Sequence, residues 1–197
     1  MNDIYIYDDI VDGSGIVEKI EQLIGVNEIN VYINTMGGSV REGIAIINAL
    51  RRTGATINTY NTSFACSMGA TILLAGDNKY MYDNSVMMIH NAWSIACGNA
   101  NELRKQADDL DKINKSILDI YVQATTLEKD ELVKMMDEET WLTAEECKDY
   151  FNINIISNKN NNTIAASVKD TVIKAILQEK KQTNKSYIEN FLYNLKD

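Results

Sequence analysis

The chain has 197 residues, of which 45% are hydrophobic, 24% are charged and none is proline. This composition is typical of one folded globular domain with room for an appendage, and it excludes a disordered, collagen-like or disulfide-rich chain. The 28 acidic residues outnumber the 19 basic ones, giving a net charge of -9. Neither a nucleic acid nor an anionic membrane surface is therefore the expected partner.

The N-terminus and the cysteines indicate a cytoplasmic protein. The first residues, MNDIYIYDD, carry acids where a secretory signal needs bases. No apolar run approaches the roughly 18 residues of a membrane span. Cys66, Cys97 and Cys147 are odd in number and widely spaced, which fits neither a disulfide framework nor a zinc site. We expect reduced thiols, no metal site and no cofactor.

The first 90 residues alternate between strand and helix patterns. Alternating or β-branched segments predict five strands, and apolar residues at helical spacing follow the first two of them. Gly13-Ser14-Gly15 opens the first of these helices and Ser39 caps the second. Because strands alternate with helices, the expected fold class is α/β. The predicted strands span residues 4–10, 29–34, 56–63, 79–82 and 85–90.

The next part of the chain is dominated by one long amphipathic helix. Between Asn99 and Thr126 apolar residues recur every three or four positions for about seven turns. This is longer than a domain of this size needs, so part of the apolar stripe is expected to pack on another subunit. A second helix is predicted at 128–136, a short helix capped by Thr143 with Glu146 follows, and residues 153–156 form a last strand.

Three parts of the chain are expected from composition. Residues 1–157 form the α/β domain, the polar run at 158–162 is a linker, and residues 163–197 form a helical tail. Apolar residues at helical spacing predict one or two helices in that tail.

Residues at the ends of successive strands could carry chemistry. Gly37-Gly38 offers unshielded backbone N–H groups of the kind an oxyanion or phosphate needs, although a plain turn requires glycine equally. Ser67 lies just before a predicted helix, where a serine could serve either as the N-cap of that helix or as a nucleophile. His90 ends an apolar strand, as a satisfied histidine or as a base. The window at 65–69 lacks the G-x-S-x-G pattern of an α/β-hydrolase, yet the three sites could meet at one rim of the sheet.

Three ordered segments resemble the signatures of the Clp protease proteolytic subunit (ClpP) family. They are INTMGGSVREGIAI, FACSMGATILLAG and NSVMMIHNA, where the family reads close to INSPGG, AASMGA and NSxxMIHQP. A fourth segment, MMDEETWLTAEECKDY, is similar to the family's last part and closer still to Clp-like peptidases of phages and prophages, including prohead proteases. The resemblance covers residues 4 to 156. It implies a ClpP/crotonase-like α/β fold of repeated β-α units with a protruding handle helix and a helical C-terminal tail, so that 1–157 would be the peptidase domain.

The resemblance implies roles for the residues that match the signatures. Ser67 aligns with the nucleophile, and His90 aligns with the base that takes the hydroxyl proton and returns it to the leaving amine. The backbone N–H groups of Gly38 and Met68 align with the oxyanion hole.

The third member of the implied triad is assigned to Glu139, with Asp137 as the alternative. The family has an aspartate two residues before an aromatic, and an ungapped alignment places Glu139 there, two residues before Trp141. Asp137 lies close enough to replace it after a small backbone shift. Both acids could also merely cap the following segment.

An extended peptide substrate is implied to lie beside the glycine loop and beside the stretch after the histidine. Met36 and Ala92 stand where the family has proline, so two loop positions are less restricted here. The implied substrate-binding residues are Gly37, Ser39, Val40, Trp93, Ser94 and Ile95.

The predicted function is a serine endopeptidase that acts on polypeptides through an acyl-enzyme, in phage capsid maturation or in ATPase-independent proteolysis. The handle helix implies a homo-oligomeric ring. The first predicted strand begins at residue 4, whereas the family's housekeeping subunit carries a longer N-terminal segment that helps to dock an ATPase, so an unfoldase ATPase is not an expected partner. Two alternatives remain open: a crotonase-type acyl-CoA enzyme on the same fold, and a catalytically silent structural or assembly protein.

Overall fold

The computed structural model describes residues 2–157; the predicted linker and helical tail lie outside the described residues. Strands and helices alternate through most of this range, which confirms the predicted α/β class. The strands are β1 (Asp3–Ile6), β2 (Glu28–Thr35), β3 (Thr56–Cys66), β4 (Asn78–Tyr82), β5 (Val86–Ile89), β6 (Thr140–Thr143) and β7 (Asn154–Ile156). The helices are α1 (Ser14–Glu21), α2 (Val40–Thr53), α3 (Met68–Leu74), α4 (Ala100–Gln123), α5 (Lys129–Asp137) and α6 (Ala144–Phe151).

The strands form one sheet around β3. Five strands run parallel in the order β1-β2-β3-β4-β7, β5 also pairs parallel with β3, and β6 pairs antiparallel with β5. The strand β3 extends beyond its predicted end at residue 63 because Phe64–Cys66 pairs with β5 after β4 has ended. The last residue of β3 therefore leads directly into Ser67.

The first strand is shorter than predicted. It ends at Ile6, and Ile10 instead forms an isolated bridge with Gly38. In this bridge Ile10 N donates to Gly37 O at 2.7 Å and Ser39 N donates to Ile10 O at 2.7 Å. The prediction of one strand over 4–10 was wrong because the later residues pair with the glycine loop rather than with β2.

The strand β6 was missed by the sequence analysis. Its four residues lie between two helices, and their strand conformation comes from pairing with β5, in which Ile89 lies opposite Thr140. This pairing brings the turn that precedes β6 next to the residue that follows β5.

The core lies between the sheet and its helices. Aliphatic side chains of β1, β2 and α2 are almost fully buried, and they are Ile4, Ile6, Val31, Ile33, Ile46, Ile47 and Leu50. On α4 only the C-terminal half is buried, at Ile117, Leu118, Ile120 and Tyr121. Toward its N-terminus Leu103 is 41% and Ile113 37% exposed. No helix within residues 2–157 is both long and apolar enough to cross a membrane.

The opposite face of the sheet carries a stack of tyrosines. Tyr5, Tyr32, Tyr60 and Tyr80 are register neighbours on four strands, and successive ring centroids lie 5.2, 4.9 and 4.8 Å apart. Cross-strand aromatic pairs of this kind stabilise a sheet.

Candidate active site

Ser67 occupies a sharp turn between β3 and α3. Its backbone has φ 55° and ψ -120°, a conformation that is unusual for any residue other than glycine and that clusters at functional sites. Ser67 N donates to Met88 O at 2.9 Å, and Thr71 N donates to Ser67 O at 3.1 Å. Ser67 occupies the N-cap position of α3 as predicted, but its side chain makes no capping hydrogen bond.

The imidazole of His90 is within hydrogen-bonding distance of the Ser67 hydroxyl. His90 follows β5 directly, its side chain is 11% exposed, and its Nε2 lies 2.8 Å from Ser67 Oγ. Its other nitrogen, Nδ1, lies 3.5 Å from Glu139 Oε2. With the proton on Nδ1, the imidazole accepts a hydrogen bond from the serine hydroxyl and faces the carboxylate with its N–H.

Glu139 lies in the turn between α5 and β6. Its φ is 49°, and its N–H donates to Met136 O at 3.3 Å. The carboxylate is about one third exposed. Its 3.5 Å approach to His90 is long for a hydrogen bond and short enough for an ion pair.

Asp137, the alternative acid, faces a different residue. Asn91 Nδ2 donates to Asp137 Oδ1 at 2.7 Å, and Asn91 N donates to Met136 O at 3.3 Å. Of the two acids that the sequence left open, Glu139 lies beside His90 and Asp137 lies beside Asn91.

The glycine loop packs directly against the serine turn. Gly37 has φ 105° and Gly38 has φ 140°. A Cβ at Gly37 would lie 2.6 Å from Ser67 Cβ and 3.1 Å from Met68 N, and one at Gly38 would lie 2.4 Å from Ile10 O. The loop thus needs glycine both for its backbone angles and for its close approach. Met68 is the first residue of α3, where backbone N–H groups lack acceptors within the helix. Because Gly37 lies close to Met68 N, the glycine loop and this N–H border the same space beside Ser67.

The implied substrate-binding residues form two groups in the structure. Ser39 Oγ accepts from Glu42 N at 3.4 Å as the N-cap of α2, which confirms the predicted cap, and Val40 is half-buried. Trp93 and Ile95 belong to an irregular segment after His90 and are 54% and 41% exposed. Large apolar side chains at the surface of such a segment are suited to contacting an extended peptide.

Sequence reasoning missed the amide side chains around His90. Asn91 contacts Asp137, and Asn114 Oδ1 accepts from Ala92 N at 2.7 Å. Asn91 follows a signature histidine, which is a weak signal, whereas Asn114 is a half-buried polar residue of α4 and gives none.

The described residues contain no group of three or more histidine, cysteine or acidic side chains placed to hold a metal ion. Cys147 is buried in the core, and burial raises the pKa of its thiol far above the usual value. A thiol held in its protonated form is a poor nucleophile, so Cys147 is a structural residue of the core rather than a candidate nucleophile.

Comparisons with known proteins agree on one family. The Clp protease family model matches residues 7–160. The ATP-dependent Clp protease proteolytic subunit of Deinococcus radiodurans is 34% identical over 125 residues, which cover 62% of this chain and 61% of that protein. The protein of the same name from Pleurastrum terricola is 31% identical over 152 residues, covering 71% of this chain and 78% of that protein. The chain thus spans under two thirds of the first relative and over two thirds of the second.

Proposed function

Because the chain belongs to the Clp protease family, we propose that it is a serine endopeptidase that cleaves polypeptides through an acyl-enzyme. The observation that carries the proposal is the 2.8 Å distance between Ser67 Oγ and His90 Nε2. A serine hydroxyl gains nucleophilicity when an adjacent imidazole can take its proton. The strained turn at Ser67 supports the same role, since it exposes the hydroxyl at the end of β3.

In the proposed reaction Ser67 Oγ attacks the carbonyl carbon of the substrate peptide bond while His90 Nε2 accepts the hydroxyl proton. The N–H groups of Gly38 and Met68 stabilise the negative charge on the carbonyl oxygen. The imidazolium is stabilised by Glu139 and returns its proton to the leaving amine. Water then attacks the acyl-enzyme with His90 again as the base, releasing the acid product and restoring Ser67.

We assign the acid of the proposed triad to Glu139 rather than Asp137. Glu139→Gln should slow peptide hydrolysis by roughly 10²- to 10⁴-fold, because an amide neither stabilises the imidazolium nor enforces the Nδ1–H tautomer. Asp137→Asn is the matched control, and since its carboxylate contacts Asn91, kcat should fall by less than about tenfold. Steady-state kinetics on one fluorogenic peptide measures both. The reverse order of effects would assign the acid to Asp137.

The substrate is proposed to be an extended polypeptide. It would lie between the glycine loop at Gly38–Val40 and the segment at Trp93–Ile95, where the exposed apolar side chains are available to contact it. We also propose that the exposed apolar positions of α4, Leu103 and Ile113, pack on further copies of the chain in a homo-oligomeric ring.

The function is tested by degradation of an unfolded protein such as reduced casein by the purified chain. Wild type should produce peptides without ATP, and Ser67→Ala should not. Equal proteolysis by both proteins would show that the activity is not carried by Ser67. No proteolysis by a folded wild-type protein, together with heat of binding in a calorimetric titration with acyl-CoA, would favour the crotonase-type alternative. Inactivity in both assays would favour a silent scaffold.

A narrower proposal concerns the biological setting. The segment at 135–150 resembles phage-encoded relatives, which suggests capsid maturation as one role for the same site. Cleavage of a phage capsid precursor at defined positions by wild type, and not by Ser67→Ala, is the expected result. Cleavage of casein but of no capsid precursor tested would contradict this setting while leaving the peptidase proposal in place.

A further inference from the structure

The main chain just after His90 is held by a side chain from α4. Ala92 N donates to Asn114 Oδ1 at 2.7 Å, although the two residues are 22 positions apart. Both are half-buried. Ala92 lies two residues after His90 and directly before Trp93, so this contact fixes the point where the base and the proposed substrate-binding segment join.

The residue type at position 92 makes the contact possible. A proline at this position would have a fixed φ and no N–H. Alanine leaves φ free and presents a half-buried N–H donor, which favours an acceptor nearby. Asn114 supplies the missing acceptor and, through it, a restraint on the chain.

The part of α4 that follows Asn114 is anchored in the core. Three residues after Asn114, the helix α4 enters the core at Ile117, which is 4% exposed. Farther along, Tyr121 is 1% exposed, and its hydroxyl lies 3.1 Å from Thr71 Oγ1 of α3. Burial of this hydroxyl raises the pKa of Tyr121 to about 12, so the phenol stays neutral. Asn114 thus ties the segment after His90 to a part of α4 that packs against the helix beginning at Ser67.

We infer that Asn114 is a positioning residue for the active site, acting through the Ala92 N–H to hold His90 and the following segment in place. The hydrogen bond from Ala92 N to Asn114 Oδ1 restrains the chain at a position where the ring of a proline would also restrain it. The inference rests on the proposed function and adds a residue that touches neither substrate nor Ser67. Small displacements of a catalytic group reduce rates strongly, so loss of this contact should be visible in the reactivity of Ser67.

The test is the rate at which a fluorophosphonate modifies Ser67, followed by intact mass, together with kcat and KM on a fluorogenic peptide. Asn114→Ala should lower the modification rate by roughly tenfold to a hundredfold. Asn114→Asp keeps an oxygen acceptor and should stay close to wild type. Asn101→Ala makes the same change at an exposed position of α4 and should have no effect.

The decisive comparison uses Ala92→Pro, which removes the N–H. In that background Asn114→Ala should change the modification rate by less than about threefold, because the contact is already absent. A merely structural role would give the same loss in both backgrounds, and that result would overturn the inference, as would a wild-type rate in Asn114→Ala alone. If Asn114→Ala does not fold, a tenfold or greater difference between the two proteins that carry Ala92→Pro still overturns the inference, because neither of them has the N–H. A wild-type protein that is not modified at all would contradict the proposed function itself.

Discussion

His90→Ala should reduce peptide hydrolysis by about 10⁴-fold or more, the scale seen when one member of a serine–histidine pair is removed. The reason is geometric: Nε2 lies 2.8 Å from Ser67 Oγ and is the group positioned to take its proton. Without it the hydroxyl attacks in its protonated, weakly nucleophilic form. The measurement is kcat/KM on a fluorogenic peptide at neutral pH.

The effects of substituting residues that act as one unit are not additive, and a double variant therefore provides the control. Ser67→Ala should cost as much activity as His90→Ala, and the double variant should be no slower than either single one. Thermal unfolding of each variant separates loss of chemistry from loss of fold. A double variant whose loss is the product of the single losses would show that the two residues act independently, against the proposed pair.

Gly37→Ala should lower activity about a hundredfold, while a matched glycine substitution should not. A Cβ at Gly37 would lie 2.6 Å from Ser67 Cβ and 2.8 Å from Cys66 O, so either the loop or the serine turn must move. A shift of about an ångström at a catalytic group can lower the rate about a hundredfold. Overpacking of this kind also costs about 1–3 kcal/mol of stability.

Gly25→Ala is the control for the cost of placing alanine at a positive φ without a steric clash. Gly25 has φ 94°, close to the φ of 105° at Gly37, but a Cβ there meets nothing within 4 Å. We expect Gly25→Ala to cost about 1–2 kcal/mol from the left-handed conformation and to keep the wild-type kcat. Urea unfolding measures the stability of both variants. Wild-type kcat in Gly37→Ala would contradict the tight packing of the glycine loop on Ser67.

Local features of the fold could be predicted from the sequence. Ser39 caps α2, and Thr143 with Glu146 forms the predicted capping box of α6. The long helix α4 follows the apolar spacing predicted from Asn99 onward. These features depend on residues within a few positions of one another, so the sequence pattern contains the information that forms them.

Features that depend on distant pairing could not be predicted in this way. The strand β6 exists because it pairs with β5, and Ile10 pairs with the glycine loop rather than extending β1. The hydrogen bond from Ala92 to Asn114 likewise joins two elements whose separate patterns show no link. Tertiary contacts override local propensity in such short segments.

In the candidate site, too, some residues could be predicted from local patterns and others could not. Ser67, His90 and Gly37-Gly38 could be singled out because each ends a recognisable strand. The alignment favoured Glu139 over Asp137, but a small backbone shift would exchange the two acids, so the sequence alone left Asp137 as an alternative. Glu139 has a left-handed φ of 49° and lies beside His90, whereas Asp137 contacts Asn91, and a residue pattern specifies neither arrangement.

The most direct test of the central claim is the intact mass of the purified protein after reaction with a fluorophosphonate. The probe reports an activated serine without any assumption about the substrate. The account predicts one adduct on wild type, located at Ser67 by peptide mapping, and none on Ser67→Ala or His90→Ala. A folded wild-type protein that forms no adduct, or an adduct that persists in Ser67→Ala, would contradict it.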